Sequence, residues 1–133
     1  MTQKKIIKVV GAAIIQEGKI LCVQRGNNMT LSGFWEFPGG KIEAGETPEV
    51  ALIREIEEEL SLKIEVLDFV NETSYDYPFG KVILKTYTAY IKCGSLLLSE
   101  HKNAKWLLPA ELLSLDWAPV DIPAAHILST TTL

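Results

Sequence analysis

Residues 40–62 read GKIEAGETPEVALIREIEEELSL, and this stretch decides the fold. Its centre, residues 54–59, places four carboxylates within five positions. On a helix Glu55, Glu58 and Glu59 share one face, because residues three and four apart are neighbours there. Like charges at this spacing destabilise a helix by about 0.2–0.5 kcal/mol per pair. A divalent cation reverses that effect, and ligands that are all oxygen favour Mg²⁺ or Mn²⁺ over Zn²⁺.

The residues around the acidic stretch predict how its helix begins and packs. Thr47 is a suitable N-cap, and Pro48 suits the first helical position. An apolar stripe for packing on a core is expected at Val50, Ile53, Ile56 and Leu60. The acidic residues lie largely off that stripe, and Glu57 is expected to face solvent. One helix can therefore contact a core and a metal ion at once.

Strands and shorter helices are predicted on either side of this helix. Residues 8–15 and 19–24 are apolar and rich in β-branched side chains, and the turn at Glu17-Gly18 predicts a hairpin between them. Further strands are expected at residues 35–37, 63–70 and 81–91, with a break at 38–40, a link at 75–80, and helices at 109–113 and 120–128. This order predicts an α/β (α+β) fold, a mixed sheet sandwiched between helices, in one domain of residues 1–133.

Composition argues against two classes of partner. The 133 residues are 47% hydrophobic and 23% charged, as in ordinary globular proteins. A net charge of −4 argues against binding a nucleic-acid polymer, which needs a basic surface. No apolar run reaches the roughly 18 residues of a membrane span, so a cytoplasmic protein is expected. Cys22 and Cys93 are expected to be buried thiols, and no sequence signal indicates the oligomeric state.

The acidic stretch resembles the Nudix box, G-x5-E-x7-R-E-U-x-E-E-x-G-U, where U is apolar. Eight positions match: Gly40, Glu46, Arg54, Glu55, Ile56, Glu58, Glu59 and Leu62. The departure is Ser61, where the family has a glycine that ends the helix, a place that favours positive φ. Serine there is expected to cost about 1 kcal/mol. Because this position is not a ligand position, activity is expected to be less affected than local stability.

The likeness extends beyond the box to the MutT-type branch of the family. Residues 33–40 read GFWEFPGG, and Glu100-His101 and the ending APVDIP at 118–123 are similar to the CTP pyrophosphohydrolase-like and 8-oxo-dGTP diphosphatase members. The resemblance implies the Nudix fold and a hydrolase that uses Mg²⁺, with Mn²⁺ as an alternative. Its implied substrate is a small-molecule nucleoside triphosphate with an oxidised guanine or a cytidine-type base. The products would be a nucleoside monophosphate and pyrophosphate, which fits a role in sanitising the nucleotide pool.

The resemblance also implies which residues hold the metal. Glu58 and Glu59 match ligand positions, together with the backbone carbonyl of Gly40. Glu55 matches a ligand or a base that orients water, and Glu100 matches an added loop carboxylate that is a ligand or a general base. A carboxylate beside Mg²⁺ stays ionised and can accept a proton from bound water. Which glutamate acts as the base is left open.

Two arginines and a lysine have implied roles near the phosphates. Arg54 is expected to orient a catalytic glutamate through a salt bridge, since its planar fork suits that better than lysine. Glu46 is expected to tie the loop to the helix. Arg25 matches a phosphate-binding position, with an ordinary surface arginine as the alternative, and Lys41 could contact phosphate or solvent.

Base recognition is expected near the end of the chain. Asp121 matches a position that hydrogen-bonds the base edge; an ionised carboxylate would accept from cytosine N4 or from guanine N1 and N2. The alternative is that Asp121 caps the last helix. Phe37, Tyr77 and Phe79 are candidates for stacking on the base, with packing as the other interpretation. His101 has no assigned role and is expected at the surface.

Two other functions stay open at this stage. One is a Nudix hydrolase that acts on another nucleoside diphosphate derivative, such as a nucleotide sugar or a dinucleotide. The other is a non-catalytic nucleotide-binding module, in which loss of catalytic glutamates would be expected. The intact glutamate set favours an enzyme.

Overall fold

A mixed sheet organises residues 5–133, the part of the chain that a computed structural model describes. The strands are β1 (Ile6–Gln16), β2 (Lys19–Gln24), β3 (Trp35–Glu36), β4 (Gly39–Lys41), β5 (Leu62–Tyr77), β6 (Gly80–Gly94) and β7 (Asn103–Leu107). The helices are α1 (Pro48–Leu60) and α2 (Ile122–Ser129), with 3-10 helices at Pro109–Ser114 and Pro119–Asp121. Within this range no helix is long and apolar enough to cross a bilayer.

Strand β1 lies at the centre of the sheet. The strand order is β3-β2-β1-β6-β5, while β4 also pairs with β1 and β7 with β2. β1 and β6 run parallel, and the other pairs are antiparallel. Neighbouring side chains of a strand point to opposite faces, so Ala12 packs in one core and Ala13 in another. β1 is therefore apolar on both faces, as its sequence predicts for a covered strand.

One helix covers each face of the sheet. α1 buries Leu52, Ile56 and Leu60 against the face that carries Ala12. α2 packs on the opposite face, where Ala124, Ala125 and Leu128 join a core that contains Trp35 and Trp117. The prediction of a mixed sheet between helices is confirmed.

The predicted packing face of α1 was partly wrong. Ile56 and Leu60 are buried, but Val50 and Ile53 are 53% and 38% exposed. Ala51 and Leu52 are buried in their place, because the helix is rotated about its axis from the predicted orientation.

Both ends of α1 agree with prediction. Thr47 Oγ1 accepts a hydrogen bond from Val50 N at 3.2 Å, and Ser61 follows the helix at φ 59° and ψ 33°.

Several strand boundaries differ from the predicted ones. β5 continues to Tyr77, so the link to β6 is shorter than residues 75–80. The expected break at residues 38–40 contains β4, whose backbone pairs with β1. β7 was not predicted, because its five residues are too few for a clear alternation. Pairing with a neighbouring strand, which a single-sequence pattern does not reveal, stabilises both short strands.

The two cysteines have different environments. Cys22 is buried, and burial raises the pKa of its thiol to about 12. Cys93 is exposed, which corrects the expectation of two buried thiols. Cys93 pairs with Lys63 one residue before β6 ends. Both are exposed, whereas Leu62 and Ile64 on either side of Lys63 are buried, so Cys93 lies on the face of the hairpin that the core does not cover.

Candidate active site

Two glycines bring strand β4 against α1. A Cβ atom at Gly39 would run into the carbonyl oxygen of Val10, and one at Gly40 would run into the carboxylate of Glu55. Gly39 therefore requires glycine, because the clashing atom belongs to the backbone, whereas a side chain at Gly40 would displace the Glu55 carboxylate. The result is that the Gly40 backbone lies directly beside Glu55, as expected if both contribute to one metal site.

Arg54 connects the loop before α1 to the acidic face of the helix. Its Nε and Nη2 donate to the two carboxylate oxygens of Glu46 at 2.7 and 2.8 Å. Its Nη1 donates to Glu55 at 2.9 Å and to Glu58 at 3.3 Å. A fourth residue, Lys41, accepts from Nη2 through its carbonyl oxygen at 3.0 Å. Such a fixed network uses the planar fork of arginine and would not form with lysine.

The electrostatics of Glu46 follow from this network. The hydrogen bonds from Arg54, followed by one from the Glu43 backbone, lower the pKa of Glu46 to about 2. The same carboxylates raise the pKa of Arg54 above its usual value. Glu46 is thus an anion that fastens the loop to the helix, which is the arrangement expected from the sequence.

Glu59 has the environment of a carboxylate that lacks a cation. Its Oε2 atom is buried and has no hydrogen-bond partner among residues 5–133. Burial raises its pKa to about 8, and the charges of Glu55, Glu36 and Glu100 act in the same direction. A divalent cation would bond the orphan oxygen and neutralise the surrounding charge, so this donor set fits a hard cation that binds oxygen.

The other implied ligands are not gathered around one point. Glu58 has a side chain that is 60% exposed, and Glu100 is exposed on the segment before β7. No three His, Cys, Asp or Glu side chains within residues 5–133 form a ready cation site. Arg54 instead holds both Glu55 and Glu58. Binding a metal would require side-chain rotations within this cluster.

A cavity of about 610 Å³ begins at the acidic cluster. Gly40, Glu55 and Glu59 form an acidic part of its lining. Another part is largely apolar and contains one buried carboxyl; its residues are Phe37, Tyr77, Val120 and Asp121. Arg25 and Lys41, which the sequence predicts to contact phosphate, line the walls. Glu58 and Glu100 lie outside the cavity lining.

Asp121 points into the fold rather than capping α2. Its side chain makes no capping hydrogen bond to that helix, so the capping alternative is wrong. Its Oδ1 accepts from the backbone N–H of Phe37 at 3.2 Å, and the residue is buried. Burial, and then the charge of Glu36, raises the pKa of Asp121 well above its usual value. A carboxyl that keeps its proton can donate as well as accept.

The aromatic candidates occupy different surroundings. Phe37 is buried and packs on Trp117 with ring centroids 4.6 Å apart, although it also lines the cavity. Tyr77 is buried, and its hydroxyl accepts from Val120 N at 3.0 Å. Phe79 is 43% exposed and stacks on Tyr77, with centroids 5.1 Å apart and planes 6° apart. Packing accounts for most of the contacts of Phe37 and Tyr77.

A hydrogen-bonded row that the sequence reasoning missed forms one wall of the cavity. Arg25 Nη1 donates to Glu36 Oε1 at 2.8 Å, and Glu36 Oε2 lies 2.8 Å from His101 Nε2. Arg25 also donates to the carbonyl and hydroxyl oxygens of Thr30. His101 is buried, which corrects the expectation of a surface histidine. No local pattern shows that residues 36 and 101 meet; the one sequence signal was the similarity of the Glu-His pair to relatives.

Comparison with known proteins agrees with this geometry. Residues 5–126 match the NUDIX domain. The chain is 37% identical over 119 residues to the CTP pyrophosphohydrolase of Escherichia coli K12, covering 90% of this chain and 88% of that protein. It is 32% identical over 130 residues to the 8-oxo-dGTP diphosphatase of Haemophilus influenzae, covering 97% and 96%.

A solved structure shows the same fold. The NMR structure of the DNA mismatch repair protein MutT, a Nudix hydrolase from methicillin-resistant Staphylococcus aureus 252, superposes with a TM-score of 0.79 and 48% identity. The match covers 96% of this chain and 98% of that one. These matches agree with the box residues of the sequence and with the sheet between two helices. This chain therefore belongs to the NUDIX domain family of hydrolases.

Proposed function

We propose that this protein hydrolyses a nucleoside triphosphate to a nucleoside monophosphate and pyrophosphate, with Mg²⁺ as the cofactor. The observation that carries the proposal is one cavity whose lining combines two chemically different groups of residues. Gly40, Glu55 and Glu59 form an acidic part of the lining, while Phe37 and the buried Asp121 belong to a largely apolar part. A triphosphate with its base attached has the same polarity, since an anionic chain joins a flat, largely apolar ring.

In this proposal the acidic part of the cavity lining and its neighbouring carboxylates hold the cation. Glu58, Glu59 and the Gly40 carbonyl are the ligands, and Glu55 and Glu100 complete the set or orient water. The orphan Oε2 atom of Glu59 supports this assignment. A divalent cation supplies neutralisation of the phosphate oxygens, which is the main requirement of phosphoryl chemistry.

The protein's own groups would align and deprotonate the attacking water. Water adds its oxygen to a phosphorus atom, a phosphoanhydride P–O bond breaks, and one carboxylate accepts the water proton. Arg54 holds Glu55 and Glu58 beside one another before substrate arrives, and their carboxylates would rotate toward the metal when it binds. Lys41 and Arg25 on the cavity walls are positioned to meet phosphate charge, although Arg25 also bonds Glu36.

A substrate panel tests the reaction class. Purified protein with Mg²⁺ should release pyrophosphate from at least one nucleoside triphosphate, among which CTP, dCTP and 8-oxo-dGTP are the first to test. The names of the relatives from E. coli and H. influenzae support this choice. Turnover of nucleotide sugars or dinucleotides alone would overturn the triphosphate proposal, and tight binding without turnover of any compound would indicate a binding module.

A pair of substitutions on α1 tests the metal ligands. Glu58→Gln should lower Mg²⁺-dependent turnover by at least about 100-fold, more than the loss of a group that merely supports a ligand. Glu57→Gln is the matched control, because Glu57 is an exposed neighbour on the same helix. Similar rates for the two variants would refute the ligand role of Glu58.

Base choice is tested separately at Asp121. The carboxyl belongs to the largely apolar part of the cavity lining and accepts a hydrogen bond from the Phe37 backbone N–H. We expect Asp121→Asn to change the ratio of kcat/KM between cytosine and guanine nucleotides. An equal loss on every nucleotide would show that Asp121 supports the fold rather than reading the base.

A further inference from the structure

We propose that His101 is a positioning residue for substrate binding, because it fixes Glu36 and, through it, Arg25 in the cavity wall. This inference rests on the proposed nucleotide hydrolysis. The side chain of His101 is 2% exposed and does not line the cavity. It therefore acts through the residues that it holds.

The row of contacts uses both oxygens of the Glu36 carboxylate. Arg25 Nη1 occupies Oε1 at 2.8 Å, and His101 Nε2 lies 2.8 Å from Oε2. The other ring nitrogen, Nδ1, is buried and has no hydrogen-bond partner among residues 5–133, so a proton on it would have no acceptor there. A proton on Nε2 fits these surroundings, and that N–H then donates to Glu36.

At the Arg25 end, the row holds the loop that contains Thr30. Arg25 uses its remaining nitrogens to donate to the backbone and side chain of Thr30. Arg25, Thr30 and Glu36 all line the cavity. A rotation of the Glu36 carboxylate would therefore move the guanidinium and release Thr30 as well.

At the His101 end, the row is attached to the sheet. Lys102 N donates to the Gln24 carbonyl at 3.0 Å. A side chain at Gly26 would run into the carbonyl oxygen of Glu100, so the segment around His101 lies directly against the end of β2. The imidazole is thus a fixed point, and Glu36 is the group that it orients.

Loss of the His101 donor would leave a charged oxygen without a partner. Glu36 lies close enough to Asp121 and Glu59 to raise the pKa of both, and the donors that the structure shows on its carboxylate are Arg25 and His101. A part-buried carboxylate oxygen that loses its hydrogen bond rotates toward other donors or takes up a proton. Either response disorders the wall that contacts the nucleotide, whereas Glu55 and Glu58 stay bound to Arg54.

Loss of His101 should affect KM more than kcat, because different residues hold the cavity wall and the acidic cluster. We expect His101→Met to raise KM about ten-fold, which equals ~1.4 kcal/mol, with kcat within about two-fold of the parent. His101→Gln places an amide nitrogen near the position of Nε2 and should restore most of the affinity. His126→Met is the control for histidine loss, because His126 is exposed on α2.

Two further measurements keep the test independent of turnover. Long-range ¹H–¹⁵N NMR correlations at about pH 8, where an ordinary histidine is neutral, should show a proton on Nε2 of His101 that exchanges slowly, with His126 as the reference. Calorimetric titration with CMP and with 8-oxo-dGMP should show weaker binding to His101→Met than to His101→Gln. If His101→Met does not fold, His101→Asn takes its place, since its amide is too short to reach Glu36.

The outcomes separate this inference from the function on which it rests. Absence of turnover of every triphosphate by the parent protein refutes the proposed function, while NMR and nucleotide binding still test His101. A fall in kcat with KM unchanged would mean that His101 acts through Glu100 and would overturn the inference. Unchanged KM and binding in His101→Met, or a proton on Nδ1, would overturn it as well.

Discussion

Replacing Ser61 by glycine should stabilise the protein. Ser61 follows α1 in the left-handed region, at φ 59° and ψ 33°, which costs about 1–2 kcal/mol for a residue with a Cβ atom. Glycine removes that strain but gains freedom in the unfolded chain, which offsets about 0.4–1 kcal/mol. The net gain is about 0.5–1 kcal/mol, since the Ser61 side chain makes no hydrogen bond within residues 5–133 that would have to be given up. For a chain of this size that corresponds to an increase of about 2–4 °C in Tm.

Urea and thermal unfolding of matched variants measure this effect. Ser61→Ala keeps the Cβ atom and removes only the hydroxyl, so its stability should stay within about 0.5 kcal/mol of the parent. Gly45→Ala is the reverse experiment, because Gly45 has φ 83° and open space around its Cα; it should destabilise through backbone strain alone. An unchanged or lower stability of Ser61→Gly, or an equal gain in Ser61→Ala, would refute the strain argument. Activity should not change, as Ser61 does not line the cavity.

Three further predictions concern the loop and helix that carry the acidic cluster. Arg54→Lys should lower the free energy of unfolding by about 1–2 kcal/mol and reduce kcat, because lysine cannot bond Glu46 bidentately while holding Glu55. Denaturation and steady-state kinetics measure the two effects, and unchanged values would contradict the prediction. The pKa of Glu46 is lowered to about 2 from 4.5, so its stabilising effect is present above 4.5 and is lost as the pH falls toward 2. Stability measured across that range should fall less steeply in Glu46→Gln, and an identical slope would count against the ion pair. Thr47→Ala should cost about 1 kcal/mol through loss of the N-cap, whereas Thr47→Ser should not; equal losses would show that the hydroxyl is unimportant.

The parts of the fold that were predicted correctly depend on local chemistry. Thr47 and Pro48 determine where α1 starts, since a cap and a first-turn proline act on adjacent backbone groups. β2 was predicted at its observed bounds, because a turn at Glu17-Gly18 and a run of β-branched and apolar residues define it. The role of Glu46 in tying the loop to the helix was also expected, because it belongs to the same continuous motif, and the structure shows Arg54 as its partner.

The features that were missed depend on contacts between distant segments. His101 and Glu36 are 65 residues apart in sequence, and nothing near His101 indicates that it is buried. Val50 is exposed although it is apolar, because the sheet strands beneath α1 determine which helix face is covered. Cys93 is exposed for a similar reason, since it lies with Lys63 on the uncovered face of the hairpin. Such outcomes depend on the arrangement of elements rather than on the pattern within one.

The guanidinium of Arg54 has a consequence for the order in which the protein is assembled. It acts as an internal counter-ion for Glu46, Glu55 and Glu58, so folding of the acidic helix does not have to wait for a metal. The polypeptide can mature first and be loaded afterwards. A chelator should then abolish turnover and leave the far-UV circular dichroism and the cooperative unfolding transition in place. In zinc fingers, by contrast, removal of the metal unfolds the domain.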